Sequence, residues 1–194
     1  MHLGDSSVPG LLLVPAYLGE DEQAGLCATV DRLPWRKDLK RRVQHYGYRY
    51  DYKRRTVDAA MRLGPLPDWS RALADQLRGD GYAPRELDQL IVNEYLPGQG
   101  ISPHVDCVPC FTDTVLSLSL GSTCVLTMTR LSDGHEADIL LEPGALLVLS
   151  GAARYEWKHG IAPRKTDRVD GISLPRGRRL SLTFRSVIES PSAQ

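Results

Sequence analysis

Along this chain the spacing of apolar residues changes near Gln89. Before that point it is helical. The segment "GEDEQAGLCATVDRL" (19–33) opens with acids and carries Leu26, Val30 and Leu33, which predicts an amphipathic helix. In "PDWSRALADQLRGDG" (67–81), Trp69, Leu73 and Leu77 stand at i, i+4 and i+8. Asp68 is the candidate N-cap and a glycine the stop, and this is the clearest helix in the sequence. The earlier run "GLLLVPAYL" is short, contains Pro15 and reads as a strand. From Gln89 the period falls to two, in "QLIVNEYL", "DTVLSLSLG", "STCVLTMTR", "DILLEPGALLVLSG" and "RRLSLTFRSVI". Pro143 and Gly144 mark a turn between two of these apolar runs. Helices followed by closely spaced strands predict an α+β protein. Its expected core is a double-stranded β-helix, or jelly roll, with the N-terminal helices packed on one sheet.

A chain of 194 residues suits a single domain, 1–194, with a helical part at 1–88 and the jelly-roll core at 89–188. Twenty-four basic residues balance twenty-four acidic ones, so no global field calls for a polyanion. The distribution is uneven: Arg32 to Arg62 holds eleven Lys/Arg against three acids, and Arg154 to Arg185 nine against three. Such basic stretches are compatible with a phosphate-bearing partner. Four scattered cysteines do not make a secreted disulfide framework, and the N-terminal apolar run lacks a basic leader. A cytoplasmic monomer with no membrane span is the expectation.

Candidate chemistry begins in "VNEYLPGQGISPHVDC". His104 and Asp106 are two apart, and an extended backbone projects both to one face. Two histidines and one carboxylate leave three positions open on a metal, the arrangement that non-haem Fe(II) needs. Of His2, His45, His135 and His159, the last follows a strand directly and is the best third ligand. In the final strand Arg179, Ser181, Thr183 and Arg185 share a face opposite Leu180, Leu182 and Phe184. Two guanidiniums on an inward face are costly to bury unless they meet anions. Asn93 and Tyr95 share a face with Ile91. A small dicarboxylate such as 2-oxoglutarate would satisfy these groups. Cys107 and Cys110 have no second pair to complete a zinc site and read as ordinary loop cysteines.

Asn-x-Tyr, His-x-Asp eleven residues on, a distant His-Gly-Ile and a closing Arg-x-Ser-x-Thr-x-Arg together resemble the AlkB family of Fe(II)- and 2-oxoglutarate-dependent dioxygenases. The resemblance runs from about Leu39 to Val187. It implies that His104, Asp106 and His159 hold iron and that the co-substrates are 2-oxoglutarate and O2. It places Tyr95 and Arg179 at the distal carboxylate and Asn93 and Arg185 near the chelating end, and it counts Ser181, standing where the repair enzyme has Asn, among the 2-oxoglutarate-binding residues. The implied reaction couples decarboxylation of 2-oxoglutarate to hydroxylation or demethylation of a substrate.

For the substrate, "RRVQHYGYRYDYKRR" and "HGIAPRKTD" resemble the branch containing the tRNA wobble-uridine hydroxylase, where the first segment forms part of a lid. Tyr48 and Tyr50 then become candidates to stack on a base, with Arg54 and Arg55 on phosphates. Val108 stands where DNA-repair members carry a second acid that reads the damaged base. The expected partner is single-stranded DNA or RNA, or tRNA. Two alternatives stay open: the same chemistry on a protein side chain or small molecule, and a non-catalytic β-fold binding module. The complete triad and both arginines argue against the second.

Overall fold

The computed structural model describes residues 7–37 and 39–188, so His2 lies outside the described residues. Six strands form the larger sheet, in the order β1 (Leu11–Val14), β8 (Leu146–Leu149), β5 (Phe111–Gly121), β12 (Arg179–Val187), β3 (Gln89–Tyr95) and β2 (Val43–Tyr46). The smaller sheet runs β4 (Ile101–His104), β9 (Trp157–Ile161), β6 (Cys124–Arg130), β7 (Glu136–Leu141). A separate hairpin joins β10 (Thr166–Val169) to β11 (Ile172–Pro175). All these pairings are antiparallel. The result is the expected jelly roll with helices on the larger sheet.

Period two in sequence becomes two faces in space. On the outer face of the larger sheet, Leu90, Val92, Leu116, Leu118, Leu120, Leu180, Leu182 and Phe184 pack with Leu73, Ala74 and Leu77 of α2 (Asp68–Gly79). The helix α1 (Glu20–Asp31) adds the buried Val30 and the partly buried Leu26 and Cys27. Leu33 lies past its end. Between the sheets a second core gathers Leu147 and Leu149 with Leu126, Met128, Leu141 and Trp157.

The helix starts correct one expectation. Pro67 is the N-cap of α2 and Asp68 its first helical residue, where it pairs with Arg71. For α1, Gly19 is the N-cap and donates its N–H to the Glu22 carboxylate at 2.8 Å. Strands β2, β4 and β9 are too short to establish a period, and the five-residue helix α3 (Gly151–Tyr155) is shorter still. Strand β4 also contains Pro103, which an edge position tolerates because no ladder N–H is needed there.

Several cations of the two basic stretches are taken up by carboxylates. Arg176 makes a two-point contact with Asp167 at 2.6 and 2.7 Å, and Arg164 adds a third at 2.7 Å. Arg178 bridges Asp31 and Glu94, and Arg42 from the first stretch also clasps Glu94. These cations are engaged by carboxylates and do not form a free phosphate surface.

Asp167 also accepts the Val125 N–H at 3.0 Å, tying the β10–β11 hairpin to β6. Burial works to raise its pKa, but Arg176, Val125 and Arg164 outweigh that and hold it below the usual carboxylate range. The folded value is therefore lower than the unfolded one. Its stabilisation is present above about pH 3.9 and is lost as pH falls through the folded value. Asp167→Asn should destabilise the protein by about 3 kcal/mol, since Arg176 keeps its burial and loses its counter-charge. Urea unfolding at neutral pH measures the loss, which should shrink in acid.

Candidate functional site

A cavity of about 660 Å³ opens between the two sheets. Its wall is the inner face of β12 and β3. Arg179, Ser181, Thr183 and Arg185 face it, directly opposite Tyr95, Asn93, Ile91 and Gln89 in the antiparallel register. Every residue of β12 before Val187 is buried.

At one end three side chains converge. His104 on β4 and His159 on β9 are direct cross-strand partners, with ring centroids 4.4 Å apart. Asp106 follows two residues after His104, and candidate ligand atoms of the three lie within 4.8 Å of one another. Gly160 makes the strand approach possible, because a Cβ there would sit 2.9 Å from the Pro103 nitrogen. His104 Nδ1 lies 2.9 Å from the Ser102 carbonyl. A carbonyl only accepts, so Nδ1 donates this bond and Nε2 is the ring nitrogen left to ligate.

Asp106 is held from two sides. Arg185 donates to Oδ1 at 2.7 Å, and Arg154 of α3 donates to the Asp106 backbone carbonyl at 3.0 Å. Burial opposes the Asp106 charge, but Arg185, then His159, His104 and Arg154, keep the carboxyl well below its ordinary range. The other oxygen, Oδ2, is buried without a hydrogen-bond partner and lies 3.7 Å from His159 Nε2. Burial, opposed by Asp106, lowers His159 to about 4, so its ring is neutral near pH 7. Two imidazoles and an ionised carboxylate with one free oxygen form a donor set that fits non-haem Fe(II).

Farther along β12, Arg179 donates through Nη2 to Ser119 Oγ at 2.8 Å, while its Nε and Nη1 are buried with no partner. Its guanidinium lies 5.6 Å from the Tyr95 ring centre. Ser181 Oγ sits 2.9 Å from Ser117 Oγ. An anionic group placed here would meet unused donors, which is the fit expected for a carboxylate of 2-oxoglutarate. Asn93 stands in the Ser181 row, and its side-chain oxygen accepts from Arg41 Nε at 2.8 Å. Arg185 is opposite Gln89, not Asn93, and donates to Gln89 Oε1 at 3.2 Å.

The mouth also differs from expectation. Gly47 (φ 75°) starts the segment that covers it, and a Cβ at that position would collide with the Asp88 carbonyl. Tyr50, Tyr52 and Arg55 line the cavity. Tyr50 and Tyr52 meet edge to face at 5.0 Å, and His45 accepts the Tyr50 N–H at 3.1 Å, which anchors the segment. Tyr48, only 7 % exposed, packs with Val57, Cys107, Cys110 and Phe111 and has no free face for a base. Arg54 and Val108 are exposed and outside the cavity lining.

Cys107 and Cys110 are joined in a disulfide, not the free loop cysteines expected. Arg41, Tyr52, Gln89 and Arg154 escaped the sequence reading. Gln89 alone had a signal there: it shares the period-two face of Asn93 and Tyr95. The other three lie in irregular or short segments, where no period marks an inward face.

Residues 10–185 match the model of the 2OG-Fe(II) oxygenase superfamily. An Arabidopsis thaliana relative, the alkylated DNA repair protein ALKBH8 homolog, is 38 % identical over 95 % of this chain and 60 % of its own. The Mus musculus tRNA (carboxymethyluridine(34)-5-O)-methyltransferase ALKBH8 is 36 % identical over 94 % of this chain and 31 % of its own. The chain thus spans 31 % to 60 % of the length of these curated relatives. The solved structure of OsALKBH1 superposes with a TM-score of 0.68 at 20 % identity, over 92 % of this chain and 98 % of that one, a likeness of fold. A two-histidine, one-carboxylate site lies beside guanidiniums with unused donors, and this chain belongs to the 2OG-Fe(II) oxygenase superfamily as a dioxygenase of AlkB type.

Proposed function

We propose that this enzyme oxidises a base of a nucleic acid, with a single-stranded or loop RNA such as tRNA as its class of partner. One observation carries the reading: His104, Asp106 and His159 converge beside two buried, incompletely bonded arginines, in a cavity also lined by Tyr50, Tyr52, Lys40, Arg41 and Arg55. Relatives named for DNA repair and for tRNA wobble modification support the choice of substrate.

In this proposal His104, Asp106 and His159 hold Fe(II). When bound, the iron together with O2 couples decarboxylation of 2-oxoglutarate to oxidation of a nearby C–H bond. The chain's own part is positioning. Arg185 fixes the carboxylate plane of Asp106 through Oδ1 and leaves Oδ2 for the metal. Arg179, whose Nε and Nη1 are unused, would hold the distal carboxylate of 2-oxoglutarate beside Tyr95. Ser181 and Asn93 line the path between. Tyr50 and Tyr52 supply aromatic surface at the entrance, and the base must leave its stack to reach the buried site.

Two outcomes test this. Arg179→Lys should weaken 2-oxoglutarate by about tenfold to over a hundredfold, because an ammonium cannot reproduce the planar fork. Succinate release against 2-oxoglutarate concentration reads the shift, and an unchanged apparent affinity removes Arg179 from the co-substrate site.

For the partner, RNA affinity should fall steeply with salt, and Arg54→Glu should reduce both affinity and slope by removing a phosphate contact. Tyr50→Ala should cost roughly 1–3 kcal/mol of binding, whereas Tyr48→Ala should act through stability. If oligonucleotides neither bind at low salt nor stimulate succinate release, the nucleic-acid proposal fails.

A further inference from the structure

The Cys107–Cys110 disulfide lies where the loop that carries Asp106 meets the segment that covers the cavity mouth. Cys107 follows Asp106 directly, and Arg154 donates to the backbone carbonyls of both, at 3.3 and 3.0 Å. On the other side the two sulfurs face one atom, the Arg55 carbonyl oxygen, at 3.2 Å from Cys107 and 3.6 Å from Cys110. Among the described residues no backbone N–H reaches that oxygen. Arg55 itself stands in the left-handed region, at φ 51°, which a residue with a Cβ keeps only where its surroundings hold it.

The redox state of the pair decides whether that carbonyl has a donor. A thiol carries a proton and donates weakly, whereas a disulfide sulfur has none to give. As a dithiol the pair offers S–H groups to Arg55 and pins the tip of the covering segment to the metal-facing loop. As a disulfide it offers none, and the tip depends on its other bonds. These are Arg55 Nη2 on the Val105 carbonyl at 3.2 Å, the Tyr50 N–H on His45 at 3.1 Å, and the Asp51–Thr56 pairing at 3.1 and 3.4 Å. Asp106 is insulated from the change. Arg154 holds its backbone and Arg185 its carboxylate, and neither bond involves a sulfur.

We propose that Cys107 and Cys110 are a reversible redox site, in which the dithiol holds the Tyr50–Arg55 segment down over the cavity and the disulfide releases it. The site does not depend on the identity of the substrate. Its reductant is a dithiol, and Cys-x-x-Cys is the spacing of dithiol–disulfide exchange sites. One sulfur of the reductant attacks a cysteine sulfur, breaking the protein's S–S bond and forming a mixed disulfide. Its second sulfur then closes the reductant's own disulfide, and two electrons and two protons have passed to the pair. Both cysteines are buried, 5 % and 3 % exposed, and packed with Tyr48, Val57 and Phe111, so the reductant enters only when the segment lifts. Release of the segment in the oxidised form is therefore also what opens the pair to reduction.

Hydrogen exchange of the metal-free protein tests this, read on peptides covering residues 49–57 after treatment with dithiothreitol or with oxidised glutathione. Thiol alkylation, read by mass, should count two more thiols in the reduced sample than in the oxidised one. The segment should exchange roughly two- to tenfold faster when oxidised, the range for one net hydrogen bond, while peptides from α2 stay unchanged. Cys107→Ser with Cys110→Ser, whose hydroxyls still donate but cannot join, should exchange slowly under both treatments. Cys107→Ala with Cys110→Ala, with neither donor nor bond, should exchange fast under both. Should either variant fail to fold, the two wild-type samples still decide. Uncoupled 2-oxoglutarate turnover by the iron-loaded wild type should be equal in the two states, because Asp106 keeps both arginines. A pair that dithiothreitol leaves oxidised in the folded protein is a structural disulfide, and the proposal falls. It falls equally if exchange over 49–57 ignores redox state, if the serine and alanine variants exchange alike, or if oxidation halts uncoupled turnover.

Discussion

The contact between Arg185 and Asp106 joins the two halves of this molecule's chemistry. Arg185 sits on β12, hydrogen-bonded on one side to β5 and on the other to β3. Asp106 sits just beyond β4, in the loop leaving the smaller sheet. A bond of 2.7 Å between them fixes the carboxylate against the larger sheet while the two histidines come from the smaller one. Neither group could be buried alone, since an unpaired charge in such surroundings is costly. Paired, they leave one carboxylate oxygen free, and that oxygen faces His159.

The alternation of β12 extends the same constraint along the cavity. A strand that turns Leu180, Leu182 and Phe184 toward the helices must turn Arg179, Ser181, Thr183 and Arg185 the other way. A slip of one residue would bury the guanidiniums in the helical core and expose leucines to the cavity. Register and site are one specification. Arg154 adds to it from α3, donating to the carbonyls of Asp106, Cys107, Phe111 and Thr112 and so holding the loop that carries the metal-facing aspartate.

That coupling explains what could be read from the chain. The long strands and α2 were legible because each shows two or more turns of its period, and the inward arginines were legible because they break an apolar pattern at regular spacing. His159 was found by elimination, since periodicity says nothing of a five-residue strand such as β9. At the mouth, the expectation for Tyr48 fails for the same reason. Tyr48, Arg54 and Val108 lie in segments without a period, so nothing in the sequence says which faces water. Their fates follow from packing: Tyr48 closes a small core over the disulfide, while Arg54 and Val108 project outward. Arg41 escaped because its partner, Asn93, is 52 residues away. Local charge counts misled similarly, because Arg42, Arg164, Arg176 and Arg178 meet their carboxylates only after folding.

The central claim is that His104, Asp106 and His159 bind one iron on which 2-oxoglutarate chelates beside Arg179. An anaerobic visible-absorption titration tests it most directly, because an Fe(II)–2-oxo-acid chelate has a charge-transfer band that neither component has alone. The account predicts that the band appears when both are added to the wild-type protein, saturates at one iron per chain, and is lost in Asp106→Ala. No band in the wild type, or a band of full intensity in Asp106→Ala, would contradict it.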